Sequence, residues 1–113
     1  MRSIGRFEVG SIPSVPQVFQ FYDEDGNPAN MSGYTGFEVE LLGSDNERVD
    51  LSGIEVKTDA TALGRLTVVW PRRSNVFSKT GQYLARFKFS GPNAVDYSET
   101  YEIKVTNFGR IGK

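Results

Sequence analysis

The sequence predicts an all-β, immunoglobulin-like β-sandwich of about seven antiparallel strands, and three observations carry that prediction. Short apolar runs alternate with polar residues at period two, the pattern of strands with one buried face. Twelve glycines and five prolines in 113 residues punctuate those runs, and no convincing amphipathic helix breaks the series. Gly81-Gln82-Tyr83-Leu84-Ala85 has the spacing of a tyrosine corner, in which a buried Tyr bonds the backbone upstream and the residue two further on faces the core. Ala85 stands where disulfide-bearing immunoglobulin domains carry a cysteine, and the usual strand-C tryptophan is missing. The sandwich is therefore immunoglobulin-like without kinship to antibodies. A small closed barrel is the alternative.

The elements follow in order. Residues 4–9 suit a first strand. Ser11-Ile12-Pro13-Ser14-Val15-Pro16 then holds the chain extended with two donors removed, so residues 1–16 read as an edge or arm. A strand over residues 18–22 stops at Asp23-Glu24-Asp25-Gly26-Asn27-Pro28, a cluster of turn formers. Phe37, Val39 and Leu41 share one face of the next strand, with Glu38 and Glu40 opposite. Gly43-Ser44-Asp45-Asn46 reads as a hairpin loop into residues 47–49, and Asp50-Leu51-Ser52-Gly53 turns the chain into residues 54–58. Gly64 leads a strand in which Leu66, Val68 and Trp70 share a face. Residues 72–80 lack alternation, and one helical turn is expected around Val76 and Phe77. Gly81 opens the strand that organises the chain, with Tyr83, Ala85, Phe87 and Phe89 on one side. Residues 97–105 form the last strand, and 107–113 read as a flexible tail. The whole is expected to be a single domain.

Composition narrows the function. A net charge of -1, spread evenly, offers no broad positive field, so nucleic acid is not an expected partner. No run of about 18 apolar residues exists for a membrane, and the N-terminus lacks the apolar stretch of a cleaved signal, which reads as a protein made in a cytoplasm. Without His or Cys, the common catalytic triads, thiolate nucleophiles and tetrahedral zinc sites cannot be built, so neither an enzyme nor a cofactor is expected.

Local candidates weigh lightly. Glu38 and Glu40 lie about 7 Å apart by strand rise, near a glycosidase separation, but they match a solvated sheet face better. Asp23-Glu24-Asp25-Gly26-Asn27 resembles the opening of a calcium loop, yet the twelfth position is Tyr34 and no helices flank it, so a self-bonded turn is the stronger reading. Arg72 and Arg73 form a small basic pair, more simply a solvated loop. Tyr22, Tyr34, Trp70 and Tyr97 are the residues for a sugar-stacking platform, though core support is their simpler role.

The order of segments resembles the N-terminal domain of phage baseplate upper proteins, tail-tip components of phages of Gram-positive bacteria. The likeness rests on Phe19-Gln20-Phe21-Tyr22-Asp23-Glu24-Asp25-Gly26-Asn27-Pro28, then Met31-Ser32-Gly33 and Phe37-Glu38-Val39-Glu40-Leu41. It continues through Gly64-Arg65-Leu66-Thr67-Val68-Val69-Trp70 and Gly81-Gln82-Tyr83-Leu84-Ala85-Arg86-Phe87. It implies a non-enzymatic virion component, made in the host cytoplasm, whose partners are other phage structural proteins, with a homo-oligomer as an option. No family binding residue maps onto this chain. On physical grounds, sheet edges are natural docking surfaces. Partner contact is expected through Ile12, Pro13, Val15 and Pro16 of the arm, or through Arg72 and Arg73. A carbohydrate-binding module is the alternative function.

Overall fold

The structure, a computed structural model, describes residues 2–73 and 75–107. The strands are β1 (Arg2–Glu8), β2 (Gln17–Gln20), β3 (Gly36–Leu42), β4 (Glu55–Lys57), β5 (Arg65–Val69), β6 (Gly81–Ser90), β7 (Val95–Tyr97) and β8 (Tyr101–Thr106). They make a five-stranded sheet ordered β1-β8-β6-β3, with β7 also pairing β6, and a three-stranded sheet ordered β2-β5-β4. The result is the expected β-sandwich. One pair departs from antiparallel: β1 runs parallel to β8, with Arg2 beside Tyr101 and Glu8 beside Thr106.

The two inner faces meet where the alternation placed them. Tyr83, Ala85, Phe87 and Phe89 of β6 are buried, as are Tyr101, Ile103 and Val105 of β8 and, opposite them, Leu66, Val68 and Trp70. Aromatic rings interlock across the gap. Phe87 meets Phe19 at 4.8 Å and Phe21 at 5.3 Å, both edge-on, the arrangement that ring quadrupoles favour. A second cluster centres on Phe77, whose ring lies 4.9 Å from Phe7, 5.5 Å from Trp70 and 5.6 Å from Tyr83. The tyrosine corner forms as expected, with the Lys79 N–H donating to the Tyr83 Oη at 3.1 Å and Tyr83 buried.

Three local expectations are corrected. Residues 75–77 make a plain turn that buries Val76 and Phe77, and the helical turn among the described residues is instead a 3-10 turn at Thr61–Leu63. Buried side chains there are held by the core, so local backbone periodicity has little say. The stretch read as one last strand is broken into β7 and β8. Ser98 interrupts it, its Oγ accepting the Phe87 N–H at 2.8 Å, so a side chain takes a ladder position from the backbone. Residues 47–49 contribute only a bridge between Leu42 and Arg48. The tail expected at 107–113 lies, beyond Asn107, outside the described residues.

Candidate functional site

The two segments expected to carry a partner contact meet on one surface. β1 ends at Glu8, and the chain reverses through Gly10, which sits at φ 82°. Its N–H donates to the Phe77 carbonyl at 2.9 Å. Residues 11–16 then lead, with a bend at Val15, to β2, and the Arg72 guanidinium reaches over to donate from Nη1 to the Pro13 carbonyl at 3.0 Å. Proline lacks an N–H but keeps its acceptor, so the arm is pinned by a side chain where no ladder bond is available. Pro13 is half-buried beneath this clasp, while Ile12 is 39% and Val15 76% exposed, with Pro16 exposed beside them. Under the arm lies a mostly apolar depression of about 290 Å³, lined by Ile4, Phe7, Val15, Pro16 and Trp70 among others.

Gln17, which the sequence did not single out, ties this surface together. Its Nε2 donates to the Ile4 carbonyl at 2.6 Å, and its Oε1 accepts the Trp70 indole N–H at 3.1 Å. One amide on β2 therefore ties β1 of the larger sheet to the residue that follows β5, the central strand of the smaller one. Nothing in the alternation of residues 17–20 marks that role, because both partners are distant in sequence.

Arg72 and Arg73 do not act as a pair. Arg73 turns away from the arm, its Nη2 donating to the Asp50 carbonyl at 2.9 Å and its Nη1 lying 3.7 Å from the Asp50 carboxylate. The Asp50 carboxyl is held below its ordinary value, first by the Ser52 hydroxyl and backbone N–H and then by Arg73. Nearby, Lys79 and Asp45 form an ion pair at 2.6 Å that raises the lysine and lowers the carboxyl. Of the two, Arg72 is the one aimed at the arm, and the basic patch dissolves into two separate clasps.

The sugar-stacking platform is likewise dispersed. Trp70 is 2% exposed and belongs to the core. Tyr97 is covered on one face by the Arg86 guanidinium, 4.1 Å from its ring centre. The Tyr34 hydroxyl donates to the Asp96 carboxylate at 2.5 Å, a bond that raises its pKa. Tyr22 is 61% exposed and, with Tyr34, lines a groove of about 400 Å³ that also holds Asn30, Ser98 and Glu99. The acidic turn is self-bonded as expected: the Asp23 Oδ1 accepts the N–H groups of Asp25 and Asn27, each at 3.0 Å. Glu40 does not stand free on a solvated face. Its carboxylate takes the Arg86 Nε at 2.7 Å and the Arg48 Nη2 at 3.4 Å, and the hydrogen bond to Arg86 is the main reason its pKa falls below the ordinary value.

No family model matches this chain, and no curated protein matches it. Among solved structures, the crystal structure of CopC from Methylosinus trichosporium OB3b is similar, at 15% identity over 94% of this chain and 86% of that one, with a TM-score of 0.50. At that identity the likeness concerns the fold alone, a β-sandwich.

Proposed function

We propose that this domain is a non-enzymatic docking module of a phage virion, joined to neighbouring tail or baseplate proteins through the arm at residues 11–16 and the clasp of Arg72. The observation that carries the reading is the joining of two separately expected segments by the hydrogen bond from Arg72 to Pro13. That bond pins the arm at Pro13, and Ile12 and Val15 stand exposed on either side of it. Exposed aliphatic side chains fixed on an extended arm present a ready contact to a partner. The segment order supports the virion setting, through its resemblance to baseplate upper proteins.

A second reading, carbohydrate binding, is favoured by the groove that places exposed Tyr22 beside the amide and hydroxyl groups of Asn30 and Ser98. One experiment separates the two. The chain is passed over immobilised baseplate ring proteins and over purified cell-wall polysaccharide. Docking predicts binding to a ring protein that Ile12→Asp, Val15→Asp or Arg72→Ala weakens about tenfold or more, as expected for central contact residues. Binding to polysaccharide alone, abolished by Tyr22→Ala and untouched by the arm variants, overturns it.

A further inference from the structure

We infer that β1 is an exchangeable strand, and that two copies of this chain associate by each laying its β1 along the β8 of the other. This inference goes beyond docking to virion proteins and stands independently of it.

The geometry has the parts that exchange requires. β1 lies at the edge of its sheet, paired to β8 alone. That pairing is parallel, the slightly weaker kind per residue, and its register shifts between Ser3 and Gly5. Residues 9–16 then carry the chain from β1 in one sheet to β2 in the other. Eight residues, fully extended, span up to about 26 Å, enough to reach a neighbouring copy. The reversal that keeps β1 at home is the turn at Gly10, closed by the Ser11 N–H on the Glu8 carbonyl at 3.0 Å. Gly10 sits at φ 82°, and glycine passes readily between that conformation and an extended one, so the turn is a hinge.

The choice of a second copy as occupant follows from what each arrangement leaves uncovered. Exchange returns every β1–β8 contact unchanged, because the incoming strand is the same strand. The balance is therefore decided by the connectors. Val9, Ile12, Val15 and Val18 are four of the eight large apolar side chains exposed among the described residues, and all belong to the connector or its immediate flank. Val9 borders the turn at Gly10, Ile12 and Val15 lie on the arm, and Val18 opens onto solvent from β2, so the exposed apolar surface is concentrated along the path that exchange would re-route. In a two-fold exchanged pair the two connectors cross, and these side chains cover each other. A closed monomer leaves them in water.

The chain contains no cysteine, so introduced thiols report cleanly. Arg6 and Lys104 are both exposed and face each other across β1 and β8. An Arg6→Cys variant is mixed with a Lys104→Cys variant, incubated at up to about 1 mM to favour association by mass action, and oxidised. Exchange predicts disulfide-linked dimers of the mixed kind, exceeding dimers of either variant with itself about tenfold, because only exchange brings residue 6 of one copy to residue 104 of another. Gly10→Ala has open space for its methyl group and strains the closed turn, so it raises the mixed dimer. Val15→Asp lowers it without touching the core. Mixed dimers no more abundant than chance pairing gives, about twice either same-variant dimer in an equal mixture, with and without Gly10→Ala, overturn the inference.

Discussion

Gly64 ends the 3-10 turn at φ 74°, and its carbonyl accepts the Phe21 N–H at 2.7 Å. A Cβ built there meets the Phe21 carbonyl oxygen at 2.6 Å and the Ala29 N and O at 2.9 Å each. Every one of those atoms is backbone, so none can swing aside. Left-handed backbone and steric overlap then act together, and Gly64→Ala is expected to cost about 3 kcal/mol. Urea unfolding checks this; a loss below about 1 kcal/mol, the least that a non-glycine residue in left-handed backbone usually costs, counts against the crowding. The sequence marks Gly64 as the head of a strand. It does not reveal the crowding, because Phe21 and Ala29 come from another part of the chain.

At the level of strands, β3 and β6 pair with Glu38 opposite Lys88 and Glu40 opposite Arg86, so cross-strand charges are matched on the outer face. The Glu40 side chain is 15% exposed and that of Arg86 45%, so solvent screens part of their attraction. Folding lowers the Glu40 pKa, which means that ionised Glu40 stabilises the fold above its ordinary value of 4.5, and the contribution fades as pH falls below that through the folded value. Glu40→Gln should therefore cost about 0.5 to 1 kcal/mol at neutral pH. The gap between the two proteins should narrow as pH falls below 4.5 and close once Glu40 is protonated in the folded protein, as followed by denaturant midpoints; a gap that stays constant with pH refutes the assignment. Alternation gave the faces of both strands correctly. It could not foresee the break between β7 and β8, because Ser98 acts through a hydroxyl bonded to Phe87, and hydroxyls carry no periodic signal.

Across the whole molecule, the sandwich, its aromatic core and the tyrosine corner were legible because each is written in local spacing. The parallel β1–β8 pair was not, since alternation tells which face is apolar but never which strand lies alongside. The candidate site divides in the same way. Two prolines and the aliphatic residues between them announce an extended, exposed arm. Arg72 meets Pro13 across 59 residues of chain, and only the packed fold brings them together. Arg73 shows the converse: adjacent in sequence to Arg72, it serves Asp50 instead. Gln17 carries no sequence signal for the same reason, as its two partners lie in β1 and at the end of β5.

The direction of β1 relative to β8 also governs how the protein carries tension. Arg2 lies beside Tyr101 and Glu8 beside Thr106, so the start of the first strand and the finish of the last point toward opposite ends of the pair. Force applied at residues 2 and 106 slides the strands past each other and loads their hydrogen bonds together. Force applied at Gly36 and Ser90, which face each other across β3 and β6, peels an antiparallel pair open one bond at a time. Single-molecule pulling at residues 2 and 106 should give rupture forces several-fold above those for residues 36 and 90, and equal forces contradict this. Through its first and last strands, the domain behaves as a shear joint.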